Sequence, residues 1–404
     1  MRPMIIRART IVPMKGEPIH DGAVAVSGGK ITDVGHFLEV TQRQSGEVLD
    51  LGEQVLMPGL INAHCHLDYT MLRGKISPPR SFSDWIQAIN AEKAKLTEQD
   101  YIDSIQAGFA EARRFGTTTI LNLIALPKLV GAIKEPSVRT WWFGELIDVR
   151  NPDEAEKLAD EAAELLKPVK RWGLAPHAPF TASQRLYARC VEIARLENIP
   201  LTTHLAESRE EMEMFRNAKG AAFDFLKEIG RPMKDCGRET PLSLLLRTQV
   251  IDQRWIIAHL NELDAGDFDL LCAAPKFHIA HCPRSHTFLD HAPFALGRLY
   301  ALGFNICLGT DSLASNSSLS LFAEMRELLR KESSLSPREA LEMTTINGAA
   351  AIGQRKQLGC IRVGASADLI ALPLGPSTDV FESIVAFDDA VSWMMIEGTI
   401  TLPV

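Results

Sequence analysis

Between residues 56 and 356 short apolar runs alternate with amphipathic stretches. Eight runs, 55–66, 117–125, 139–147, 172–179, 200–206, 254–260, 276–282 and 304–311, read as strands. Between most of them the apolar spacing changes to three and four. Residues 152–167, 184–198, 265–274, 293–302 and 319–333 therefore predict helices, the first with acids in its opening turn. Eight strand–helix units predict an α/β fold, an elaborated (β/α)8 barrel of the TIM type. A doubly wound open sheet is the rival, but its Gly-x-Gly-x-x-Gly phosphate loop is missing.

The two ends have a different texture. Residues 5–12, 22–27 and 30–34 read as short strands, with Gly28-Gly29 as a hairpin turn between the last two. Residues 359–364, 367–372 and 391–396 repeat that pattern. The expectation is a small β-sandwich domain built from residues 1–55 and 357–404, flanking a barrel over 56–356. The longest insertion, about 209–250, is charged and helical and precedes the sixth barrel strand, where it can wall a pocket.

Polar residues interrupt this pattern at one recurring place. His64 and His66 close the first run, His204 the fifth and Asp311 the eighth; His177, His259 and His281 close others. Catalytic residues of a barrel gather at the carboxyl ends of its strands. Two residues apart on a strand, His64 and His66 share a face and Cys65 takes the other. By the same parity His278, opposite to His281, should face the surrounding helices. His20, His36 and His291 read as surface or packing residues. Three imidazoles and a carboxylate suit one divalent metal ion, zinc or ferrous iron, with an open position for water.

A net charge of -8 argues against a nucleic-acid partner. Met1–Arg7 has only a short apolar pair before an arginine and is not expected to be a signal peptide. No run approaches the roughly 18 apolar residues of a membrane helix. Seven scattered cysteines without a Cys-x-x-Cys pair read as reduced thiols in a cytoplasmic protein.

The segments Pro58-Gly-Leu-Ile-Asn-Ala-His-Cys-His66, Leu72-Arg-Gly74, Pro176-His-Ala-Pro-Phe-Thr181, Thr203-His-Leu-Ala-Glu-Ser208, Ala258-His259, Ala280-His-Cys-Pro-Arg-Ser285 and Leu308-Gly-Thr-Asp-Ser-Leu-Ala-Ser-Asn316 together resemble the amidohydrolase superfamily. Within it they resemble the deaminase branch, with methylthioadenosine/S-adenosylhomocysteine, aminodeoxyfutalosine, guanine and cytosine deaminases and the triazine hydrolases. The likeness spans essentially the whole chain. It implies His64, His66, His204 and Asp311 as metal ligands, Glu207 as proton shuttle and His259 as the residue that orients the attacking hydroxide. Asp311 would take the proton of the metal-activated water, and ammonia would leave after attack on the ring carbon.

The fourth run has no lysine to be carbamylated as a metal bridge, since Lys170 precedes it; one ion, most simply zinc, is therefore expected. Trp85, in Ser81-Phe-Ser-Asp-Trp85, would pack against a purine or ribose, and Arg73 would meet an anionic substrate tail. His177 and His281 are expected to line the pocket. These features favour an adenine-type nucleoside over a guanine, pterin or triazine ring, and catalysis over a non-catalytic binding role. The resemblance also implies a homodimer. One departure from many relatives is Pro283-Arg-Ser-His286, where Pro-x-Ser-Asn is usual, which alters the rim near the substrate.

Overall fold

The apolar run 55–66 forms two strands in two different sheets, not one. It breaks at Gly59, whose amide donates to Asp368 O while Leu60 N donates to Gly116 O. A Cβ at Gly59 would stand 2.1 Å from the Thr118 side chain, so only glycine lets the chain pass from one sheet to the other here. The computed structural model describes residues 3–401 other than 135, 137 and 376. The outermost residues of the two terminal segments, 1–2 and 402–404, lie outside the described residues.

The small sheet contains β1 (Met4–Ile11), β2 (Ile19–Ser27), β3 (Lys30–His36), β4 (Glu47–Asp50) and β5 (Gln54–Pro58). The barrel contributes β6 (Leu60–His66), β7 (Thr117–Ile124), β8 (Arg139–Leu146), β9 (Trp172–Pro176), β10 (Leu201–Leu205), β11 (Trp255–His259), β12 (His278–His281), β13 (Asn305–Leu308) and β14 (Asp311–Ser312). The chain returns to the small sheet with β15 (Leu369–Pro373), β16 (Trp393–Ile396) and β17 (Thr399–Ile400).

The small sheet runs β17-β16-β15-β5-β1-β2-β3, with β4 alongside the first half of β1. Both ends of the chain thus share one sheet: β5 pairs antiparallel with β15 from Leu369↔Pro58 to Pro373↔Gln54. The segment leading into β15 lies along the β3 edge, where Ile31 N donates to Ala365 O and Ala367 N to Gly29 O. The closed face buries Ile6, Ile11, Val24, Leu56, Leu369 and Trp393. Residues 359–364, expected as a strand, are irregular. Gly359 and Gly364 both have positive φ, which leaves too few extended residues between them to pair.

In the barrel the parallel order is β13-β12-β11-β10-β9-β8-β7-β6-β14. Because β13 and β14 are pieces of one strand separated by Gly309-Thr310, the sheet returns to its start and closes. Gly309 is packed so tightly on β6 that a Cβ would lie 2.5 Å from His64 O. The lower barrel is filled by Ile61, Leu121, Leu123, Trp141, Phe143 and Ile256, with Ala349 of the helix Ile346–Ala351 plugging its floor. Between strands and outer helices lie Ile105, Phe109, Tyr187, Trp255 and Phe322. Among the described residues no helix is long and apolar enough to cross a membrane.

One buried ion pair ties the two sheets together. Arg139, opening β8, donates from Nε and Nη2 to both carboxylate oxygens of Asp368 (2.9 and 3.0 Å) and from Nη1 to Glu397. Removing one partner of such a pair strands a buried charge. Arg139→Ala should therefore lower unfolding stability by about 3–5 kcal/mol, read as a fall in the urea midpoint.

Candidate active site

Above the apolar plug, the carboxyl ends of the strands turn polar and converge. His66 Nε2 lies 3.2 Å from His204 Nε2 and 3.7 Å from Asp311 Oδ1, and His64 Nε2 lies 3.8 Å from the same oxygen. Tetrahedral ligands at about 2.0–2.1 Å from a metal stand about 3.3–3.4 Å apart. The four side chains therefore surround a space of the right size for a divalent cation. Both ring nitrogens of His64 are buried and have no hydrogen-bond partner among the described residues. Unmet lone pairs of this kind are what a cation satisfies. Groups able to hold one include His64, His66 and His204, and also His64, His259 and Asp311.

Local structure aims each group. Asn62 accepts from Thr310 N and donates to Thr310 Oγ1 (2.8 Å), pinning β6 to the strand that carries Asp311. The register of β6 slips between Asn62 and Cys65, so Ile61 and Ala63 fill the barrel while His64 and His66 still reach its axis. The Cys65 thiol turns the other way, 3.6 Å from Leu121 O. His204 Nδ1 donates to His177 O (2.9 Å), which leaves the Nε2 lone pair facing the cluster. Asp311 Oδ2 accepts from Ser285 Oγ (2.6 Å) and Ser315 Oγ (3.2 Å), which leaves Oδ1 free. Ala206, His259, Leu260 and Asp311 all have positive φ, a strained backbone concentrated at the ends of β10, β11 and the last barrel strand.

Burial sets the protonation. It drives His66, His177 and His259 well below the ordinary imidazole range and His64 to about 3, so these rings are neutral. Burial works to raise Asp311, but His259, His64 and the Ser285 hydroxyl together hold its carboxylate below the usual value. Glu207 goes the other way: burial, with the charges of Asp311 and Glu211, pushes it well above. Its Oε1 is 3.6 Å from His259 Nε2.

Glu210 and Glu211, its neighbours, are structural. Glu211 accepts from the backbone amides of Ala206 and Glu207, and Glu210 from those of Phe82 and Ser83. Glu210 thereby docks the helix Phe82–Lys93 over the site.

These residues open into a cleft. Phe82, Trp85, Ile86, Ile89 and Phe180 form its apolar wall, and Lys93 is the one lysine or arginine on it among the described residues. Trp85 stacks on Phe82 with ring centroids 5.8 Å apart. Behind this wall lie Met214, Phe215 and Leu226 of the 209–250 insertion.

Of the residues expected at the site, His64, His66, His204, Asp311, Glu207, His259, His177 and Trp85 come together. Arg73 does not: its guanidinium pairs with Glu111 on the helix Glu98–Arg114. His281 is also elsewhere. It stacks on Phe294 at 4.0 Å and faces a side cavity with His286 and His291. The expected orientations on β12 are reversed. Ala280 fills the barrel, so His278 shares its inward parity at the floor and bonds Asn305, while Ile279 and His281 face the helices. His286 bonds Asn261, whose amide holds Glu207 O (3.1 Å). His20 and His36 lie in the small sheet, and His291 lies 6.0 Å from Phe82.

Glu145 escaped the sequence reading. It ends the inward row Trp141, Phe143, Glu145 on β8, lines the cleft and stands 3.7 Å from His66 Nδ1. As a carboxylate closing a barrel strand it carried the same signal as Asp311.

The profile of the amidohydrolase family matches residues 55–401. A 5-methylthioadenosine/S-adenosylhomocysteine deaminase of Moorella thermoacetica is 29% identical over 426 residues, covering 100% of this chain and 94% of the relative. A zinc-bound adenosine deaminase of Xanthomonas campestris superposes with a TM-score of 0.84 at 26% identity, covering 99% of this chain and 92% of that one. The Helicobacter pylori aminofutalosine deaminase in complex with methylthio-coformycin shares the fold with a TM-score of 0.88 at 22% identity, over 99% of this chain and 100% of that one.

Because Glu211 satisfies two buried amides, Glu211→Ala should cost about 1–3 kcal/mol of stability. Thermal unfolding of the variant against wild type measures this.

Proposed function

The chain belongs to the amidohydrolase family and is a hydrolase of carbon–nitrogen bonds, and we propose that it deaminates an adenine-type nucleoside with one divalent cation, zinc, held by His64, His66, His204 and Asp311. The observation that carries this reading is the convergence of those four side chains, at 3.2–3.8 Å, beside Glu207 and His259 under an aromatic wall. A cation there lowers the pKa of water from ~15.7 towards ~7, so that hydroxide is available near neutral pH.

The chain's own residues supply the rest. Asp311, ionised, accepts the proton of the attacking water. The unpartnered Nε2 of His259 holds that water in line. Glu207, kept protonated by its burial, donates to the ring nitrogen next to the carbon under attack. The proton held by Asp311 then passes to the departing amine, and ammonia leaves as the carbonyl forms and the hydroxyl proton returns to Glu207.

The choice of substrate rests on the wall and on the relatives. Phe82, Trp85 and Phe180 on the cleft wall offer flat faces for a purine or ribose. The Moorella relative is named for methylthioadenosine and S-adenosylhomocysteine, and the Xanthomonas one for adenosine. With Arg73 engaged by Glu111, any anionic tail would meet Lys93 instead.

Purified, zinc-loaded protein should hold one ion per chain and release ammonia from adenosine, methylthioadenosine or S-adenosylhomocysteine. Silence on all three, with activity on guanine or a triazine, would move the assignment to another ring. Asp311→Asn should lower kcat on the order of a thousandfold, and Glu207→Gln by about 10²–10⁴-fold while keeping the ion. Metal loss in Glu207→Gln would place that residue among the ligands.

A further inference from the structure

Glu145 has no place in the mechanism above, yet it occupies a costly position. It is buried beside the cluster, and its Oε1 has no hydrogen-bond partner among the described residues. No lysine or arginine among them pairs with it. Asp68, a second buried carboxylate, adds repulsion: burial and the charge of Glu145 push Asp68 up to about 7. The group facing Oε1 is an imidazole, at 3.7 Å.

That imidazole is His66, and its two nitrogens face opposite ways. Nε2 looks at His204 and Asp311 from 3.2 and 3.7 Å, while Nδ1 looks at Glu145 Oε1 from 3.7 Å. A neutral imidazole carries one proton and one lone pair. If the proton sits on Nε2, the lone pair needed in the cluster is lost. A carboxylate at Nδ1 can only accept, so it favours the proton there. His204 is keyed in the same sense by His177 O.

We propose that Glu145 is the positioning residue for His66: it accepts the Nδ1 proton and so presents the Nε2 lone pair to the cation. This rests on the metal site of the proposed function. Glu145, His177 and His204 also lie close enough to form a cation site of their own. That alternative fails on lone pairs. With its Nδ1 donating to His177 O, His204 has only Nε2 to give, and that atom already faces His66.

The test compares wild type, Glu145→Ala and Glu145→Gln as full-length proteins. Zinc affinity is measured by competition with a chromophoric chelator, ion content by elemental analysis, and ligand geometry by the visible spectrum of the cobalt-substituted protein. In Glu145→Ala zinc binding should weaken by about 10–100-fold and the cobalt spectrum should shift. In Glu145→Gln, whose amide oxygen still accepts the Nδ1 proton, most of that affinity should return. Glu145→Gln is isosteric, so it keeps the test alive if the alanine variant does not fold.

Wild-type zinc affinity in Glu145→Ala, with only KM raised, would overturn the proposal and make Glu145 a substrate contact. Two ions per wild-type chain, one of them lost on mutation, would overturn it in favour of direct ligation. A wild-type protein that binds no zinc would overturn the parent reading as well.

Discussion

Three buried imidazoles, His64, His66 and His204, converge on the carboxylate of Asp311, with His66 3.2 Å from His204 and 3.7 Å from Asp311. Everything else in the upper barrel depends on that arrangement. A buried polar atom without a partner costs about 1–3 kcal/mol, and several such atoms lie together at His64, His259 and Glu145. The backbone adds strain at Ala206, His259, Leu260 and Asp311, each worth about 1–3 kcal/mol. Alone, such a cluster would relax by rotating a ring or opening to solvent. It persists because rigid strands with packed flanks hold each of these side chains in place.

The scaffold is specific about how it holds them. Asp311 reaches His64 only because the last barrel strand lies against β6, which Gly309 permits sterically and Asn62 fastens by hydrogen bonds. The small sheet contributes indirectly. β5 and β6 are consecutive, so the strand that carries His64 and His66 is anchored at its base by a sheet built from both chain ends. Arg139 anchors β8 to the same sheet, and Glu145 stands near the other end of that strand. Fold stability and site geometry therefore share elements.

Strand and helix periods, with the rule that barrels place their chemistry at strand ends, were enough to read the barrel and most of the cluster from the chain. Where the reading failed, long-range packing had decided the outcome. The run 55–66 is apolar on both sides of Pro58-Gly59, and the close approach of Thr118, 59 residues away, is what makes Gly59 the crossing point between sheets. Parity along β12 was counted with the wrong phase, because His281 looked like the ligand-bearing end of an inward row. Ala280, small and unremarkable in sequence, is the residue that fills the barrel. Arg73 looked available for a ligand until Glu111 was placed beside it. Glu145 was legible by the rule already in use, since it is a carboxylate near the carboxyl end of the run 139–147.

The two central carboxylates are separated by environment more than by distance. Glu207 and Asp311 repel each other, and burial works to raise both. Asp311 escapes because two imidazoles and two serine hydroxyls favour its charged form. Glu207 accepts no comparable side-chain hydrogen bond among the described residues, and Glu211 adds repulsion. A pair of acids pushed in opposite directions is the arrangement needed for one base and one acid at the same pH. A cation beside Asp311 Oδ1 widens the gap, since the nearer carboxylate is stabilised more in its ionised form. The proposed division of labour, Asp311 accepting a proton and Glu207 donating one, matches this separation before any substrate enters the cleft.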